Sequence, residues 1–137
     1  MMDIKFIKEN TDIVRETAKN KNIDVDIDRL LAVHRERLKL MQEIEQLKAL
    51  KNDLNDMIKT AEADERQEII EKGKEIKTKL ELKEPEYDRM DAEFQLLMAK
   101  VPNVISEDTP IGKNSEENIE TEKWGKIPEF NFPIKDH

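Results

Sequence analysis

The sequence predicts a mainly α protein. Its fold class is a long antiparallel two-helix coiled-coil hairpin, with a small N-terminal helical cap and an irregular C-terminal linker. Three observations predict it. Leu30, Val33, Arg37, Leu40, Ile44, Leu47, Lys51, Leu54, Ile58 and Ala61 step alternately by three and four. Ile69, Gly73, Ile76, Leu80, Lys83, Tyr87, Met90, Phe94, Leu97 and Val101 do the same. Between them, residues 60–65 carry no apolar repeat. Alternating three and four keeps one helical stripe facing a partner, because the mean spacing is 3.5. A break between two such stripes folds the second helix back on the first. Each arm would be on the order of 50 Å long at 1.5 Å per residue.

The elements can be taken in chain order. Asp3 is placed to cap a first turn holding Ile4, Phe6 and Ile7. Asn10 or Thr11 can cap a second short helix through Ile13, Val14 and Ala18. These apolar residues cannot all bury within so short a piece, so they are expected to pack on the base of the hairpin. Residues 19–22 break the pattern, and Asp26 or Asp28 can cap the first long helix. Asp64, with Gln67 three residues on, is the expected cap of the second.

Three seam positions are charged. The stems of Arg37, Lys51 and Lys83 are expected to lie over the seam while their charges reach water. The alternative is that they fix register. Gly73, also on the seam, costs about 1 kcal/mol against alanine and would permit close approach of the helices. Pro85 lies inside the second helix, but the seam resumes in phase at Tyr87 and Met90. A kinked, continuous helix is the expectation. After Val101 the character changes. Pro102, Pro110, Gly112, Gly125, Pro128 and Pro133 punctuate a stretch whose short apolar pieces could pair as strands but offer little core. Residues 1–101 thus form the cap and arm, and residues 102–137 a linker.

Composition narrows the function. Aromatic residues make up 4% of the 137 and charged residues 41%, poor material for a globular core and normal for an exposed hairpin. There are no cysteines and two histidines, which leaves no thiolate site and little for a histidine metal cluster. His34 sits beside the seam, where a lone histidine is a packing or surface residue; His137 is terminal. No apolar run approaches the roughly 20 residues needed to span a bilayer, so a soluble cytoplasmic protein is expected. No phosphate-cradling glycine loop or zinc-ligand spacing is present. Acid pairs such as Glu43/Glu45 have no concave setting to tune them. No catalytic, cofactor-binding or metal-binding residues are expected in this chain.

The net charge of −8 argues against nucleic acid as a whole-chain property. Its distribution is less simple. Acid is concentrated in the N-terminal segment, at the tip (Glu62, Asp64, Glu65) and after Pro102, while the arm flanks are near balance. Lys48, Asn52, Asn55 and Lys59 step by four, three and four beside the seam. Lys72, Lys74, Lys77 and Lys79 add charge at similar height on the second helix. Lysine and asparagine can bond phosphates and ribose hydroxyls without reading base edges.

Several stretches resemble bacterial seryl-tRNA synthetases. Met2-Asp3-Ile4-Lys5-Phe6-Ile7-Lys8-Glu9-Asn10 is similar to the family's opening, as is Asp24-Val25-Asp26 leading into Leu30-Leu31. The long hairpin follows in the family's manner. Then Val101-Pro102-Asn103, Pro110-Ile111-Gly112, Glu117-Asn118 and Trp124-Gly125 fall in the family's order, and residues 130–137 resemble its lead into the catalytic domain. The resemblance implies an N-terminal tRNA-binding arm that meets the elbow and long variable arm of serine tRNA, largely through the backbone. It also implies a separate antiparallel-sheet catalytic domain using ATP, magnesium and serine, and normally forming a homodimer. That domain's motifs do not occur here, so the chain is expected to be inert alone and to stop at the domain boundary. The family's Arg-Asn…Ser-Lys pattern reads Lys51-Asn52 and Asn55-Asp56, and Pro85 departs from an uninterrupted arm. Lysine lacks arginine's bidentate fork. The candidate tRNA contacts are Lys48, Lys51, Asn52, Asn55, Lys59, Lys72, Lys77 and Lys79. A protein-interaction or chaperone coiled coil is the alternative, and a plain spacer a third reading.

Overall fold

A computed structural model describes residues 2–126, 128–133 and 135. Ile134, Asp136 and His137 of the closing stretch therefore lie outside the described residues. Four α-helices follow in order: α1 (Ile4–Glu9), α2 (Thr11–Asn20), α3 (Ile27–Thr60) and α4 (Ala63–Lys100). Helices α3 and α4 pack along each other as the hairpin. The irregular tail contains one 3-10 turn, Ser115–Glu117, and no strand among the described residues. Val104, Ile111, Ile119, Phe130 and Phe132 stay exposed, and the Trp124 residue is 95% exposed. The tail's turn at Gly125 has φ +86°, a conformation that a side chain would strain.

The helix starts follow their capping chemistry. Asp3 accepts from the Lys5 amide and Asp26 from the Arg29 amide, so both expected caps form. Asn10 occupies the start of α2 without a side-chain cap, and Thr11 Oγ1 instead donates to the Ile7 carbonyl. The expected cap at Asp64 is corrected. Helix α4 begins at Ala63, so its capping position is Glu62, which makes no side-chain cap bond. Gln67 donates to Glu71 rather than closing a capping box. The turn is tighter than the polar composition suggests, with only Ala61 and Glu62 between the helices. Asp64 and Glu65 still complement the positive helix end from its first turn.

The core sits at the base of the hairpin. Ile7 and Val14 of the cap are buried against Leu30 and Val33 of α3 and Phe94 and Met98 of α4. The cap helices have 6 and 10 residues, too short to stand alone, and this cluster holds them. Lys21 Nζ donates to the Asn103 carbonyl at 2.8 Å, tying the end of α2 to the chain leaving α4. Toward the tip the seam thins. Leu40, Ile44, Leu80 and Ile69 are buried, whereas Leu47, Leu54, Ile58 and Ile76 are half-buried. Helix α4 runs continuously through Pro85.

The seam charges correct one expectation. Arg37 pairs with Asp91, and Lys83 pairs with Glu43 across the hairpin. With Arg29–Glu93 and Lys48–Glu84 they make a ladder of four cross-helix pairs. Arg29 grips Glu93 through two bonds, Nε at 2.7 Å and an Nη at 2.8 Å. Exposed pairs stabilise little individually. A ladder of them nonetheless penalises a slipped register, so two of the three seam charges fix register. Only Lys51 stays exposed and outside the ladder. Gly73 also departs from expectation: a Cβ added there would meet nothing within 4 Å, so it is not a point of close helix approach.

His34 is buried within the base, 7% exposed, its ring 5.4 Å from that of Phe94. Its Nδ1 has no partner, and the Arg37 guanidinium lies over the Phe94 ring, 4.1 Å from its centroid. Burial, then Arg37, then Lys8 push its pKa below the usual 6.5. The unfolded chain therefore takes up a proton that the folded chain resists. Stability is full above the unfolded value and falls as pH drops below it. Glu43 and Glu93 add a second loss at lower pH, because their cationic partners hold them below the usual 4.5. The melting temperature should fall in two stages between pH 7.5 and pH 3. His34→Leu should flatten the first stage alone; a profile unchanged by that substitution would remove His34 as its cause.

Candidate nucleic-acid interface

Two grooves of dissimilar character line up along one face of the hairpin by helical spacing, a basal half and a distal half. The basal half is lined by Met41, Ile44 and Tyr87 and ringed by Glu45, Glu84 and Asp88, with Lys48 already held by Glu84 at 2.8 Å. The distal half has a floor of Leu54, Ile58, Ile69 and Ile70, opened by Gly73. Its rim is Lys51, Asn55, Lys74 and Lys77, and no carboxylate lines it. The groove there has a volume of about 210 Å³.

The rim follows from helical spacing. Lys51, Asn55 and Ile58 step by four and three along α3, and Ile70, Lys74 and Lys77 do so along α4. Antiparallel packing brings the two rows together at one height. The ion-pair ladder ends below them, at Lys48–Glu84. Among the described residues, Lys51 and Lys74 enter no ion pair, and Lys77 only a loose one within its helix, to Glu81 at 3.7 Å. The cross-helix pairs thus engage cations up to Lys48, and beyond them Lys51 and Lys74 stay unpaired on this face.

The candidate contacts separate accordingly. Lys51, Asn55 and Lys77 come together on the distal groove. Lys48 lies on the same face but is engaged by Glu84. Asn52 is exposed without lining the groove. Lys59 pairs with Asp56 at 2.6 Å near the tip. Lys72 pairs with Glu68 at 2.6 Å, which holds its pKa above the usual value. Lys72 and Lys79 precede Lys83 by eleven and four residues, which sets them toward the flank where Lys83, Glu86 and Met90 line another shallow groove. Lys74 is the addition that the sequence did not single out as a contact. Its signal was present in the 70–74–77 spacing, which repeats that of 51–55–58.

No group of three or more histidine or carboxylate residues among those described could hold a metal ion. None of the described helices is long and apolar enough to cross a membrane. The floor of the groove offers no titratable group to act as acid, base or nucleophile, so the site's chemistry is electrostatic and apolar adhesion.

A family profile described as the seryl-tRNA synthetase N-terminal domain matches residues 1–105. This chain belongs to that family. A serine–tRNA ligase from Dictyoglomus turgidum is 34% identical over 140 residues, covering 100% of this chain and 33% of that protein. One from Borreliella burgdorferi strain ZS7 is 37% identical over 138 residues, covering 100% of this chain and 32% of the relative. The chain thus spans about a third of the length of the curated relatives it matches. The crystal structure of seryl-tRNA synthetase from Pyrococcus horikoshii complexed with ATP superposes with a TM-score of 0.70 at 22% identity, over 87% of this chain and 28% of that one. At that identity the likeness speaks for the fold alone. The base cluster and the two-residue turn are this member's realisation of it.

Proposed function

We propose that this chain is the tRNA-binding arm of a serine–tRNA ligase acting in the cytoplasm. It docks on the elbow and long variable arm of serine tRNA, while a separate catalytic domain attaches serine to the 3′ end using ATP and magnesium. Residues 1–101 are the arm with its cap, and residues 102–137 lead to that domain, through which the full-length enzyme forms a homodimer. One observation supports the reading above the others: the distal groove gathers Lys51, Lys74 and Lys77 with the Asn55 amide and no carboxylate. Ammonium and amide groups on a rigid helical arm suit phosphate and sugar oxygens. Discrimination then comes from shape, since a long variable arm gives the hairpin a second backbone to touch.

The test is a salt titration of serine tRNA binding to the full chain, with and without Lys51→Ala and Lys77→Ala. Each substitution should weaken binding and reduce the slope of log K against log salt by about 0.7–0.9, the value for one phosphate contact. A serine tRNA lacking its variable arm should bind more weakly. If the substitutions leave affinity and slope unchanged and the shortened tRNA binds equally well, the docking mode is wrong.

A further inference from the structure

We propose that the notch at Gly73 receives a single unpaired nucleotide of the bound RNA. The base lies against the aliphatic floor, and its flanking phosphates meet the lysine rim. This rests on the arm reading above and adds to it a specific feature of the RNA: one extruded base at the height of Gly73.

The argument begins with a cost. Glycine in a helix interior is worse than alanine by about 1 kcal/mol. Helical glycines are usually excused by close packing, but a Cβ at Gly73 would meet no atom within 4 Å. The missing side chain serves no helix contact. What it does is open the floor between Leu54 and Ile58 on α3 and Ile69 and Ile70 on α4. An apolar floor beneath a rim of three lysines and one asparagine selects an occupant with a flat apolar part and more than one negative charge close by. A nucleotide within a strand has that form: a base with a π-face and a phosphate on either side. A smooth duplex backbone would use the lysines and leave the floor empty.

Lys51 approaches from α3 and Lys74 and Lys77 from α4, so the rim can hold the phosphates on both sides of the base. The neighbouring basal groove is ringed by Glu45, Asp88 and the Lys48–Glu84 pair, and the carboxylates of Glu45 and Asp88 repel phosphate. Charge therefore confines the strand to the distal half, where the notch is.

Filling the notch tests this without touching a cation. Gly73→Leu and Gly73→Ala both raise helix propensity and have room for their Cβ, so both proteins should melt at or above the temperature of the unmodified chain. Affinity of the full chain for serine tRNA should fall roughly fivefold or more with Gly73→Leu, and less with Gly73→Ala. The salt slope should not change, because every lysine remains. If Gly73→Leu binds as tightly as the unmodified chain while Lys51→Ala still lowers the slope, the notch is not a base site and the arm reading stands. If the unmodified chain binds no tRNA, the arm reading fails and the notch with it. An oligoglutamate peptide that binds as tightly as the tRNA at equal salt also overturns the proposal, since the groove would then accept any acidic chain.

Discussion

Replacing Leu30 with alanine is expected to lower the unfolding free energy by about 2–5 kcal/mol. Leu30 has no exposed surface and lies where all the elements of the base meet. Ile7 and Val14 reach it from the cap, Val33 from its own helix, and Phe94 and Met98 from α4. The backbone around it is helical and cannot collapse into the space left by three lost carbons, so the cavity persists. Domains of this size hold only about 5–15 kcal/mol in total. A loss of this order should detach the cap before the arm unfolds, because α1 and α2 are anchored to the hairpin through this one cluster. Urea unfolding followed by circular dichroism measures it, with Leu82→Ala as the control. Leu82 is 70% exposed, and its truncation should change stability by no more than about 0.5 kcal/mol. Equal effects from the two substitutions would mean that the base cluster is not the centre of stability.

The seams were legible in the sequence because they are long and strictly periodic, and a stripe repeated over many turns leaves little choice of partner face. The cap was legible for a different reason: Ile4, Ile7 and Val14 need a surface that their own short helices cannot supply. The turn was harder. Glu62, Asp64 and Glu65 look like loop composition, yet acidic residues also suit the first turn of a helix, and α4 starts among them. The ion-pair ladder was hidden because pairing Arg37 with Asp91 or Lys83 with Glu43 depends on the length of a turn that the sequence does not fix. The candidate interface was legible as composition and blurred as geometry. Lys48 and Lys51 look equivalent along the chain, three residues apart on one helix. Only the position of Glu84 on α4 engages the first and leaves the second free. Gly73 misled for a similar reason. A seam glycine suggests contact, and whether it makes contact or a hole depends on what stands opposite.

Replacing Pro85 with alanine is expected to stabilise the protein by about 2–3 kcal/mol, an unusual direction for a substitution inside a long helix. Proline there cannot donate to the Glu81 carbonyl, and its ring crowds that carbonyl. Pro85 is exposed, so alanine leaves no cavity behind. The helix already runs through the site from Ala63 to Lys100, so alanine needs no rearrangement to restore the missing bond. Lys83 and Glu84, just before the position, keep their partners on α3. The denaturation midpoint should therefore rise while the affinity for serine tRNA stays unchanged, since α4 already follows a continuous helical path to the distal groove. A higher midpoint with unchanged binding would assign Pro85 no part in docking. A midpoint that stays level or falls would show that the proline ring makes a stabilising contact that outweighs the lost hydrogen bond.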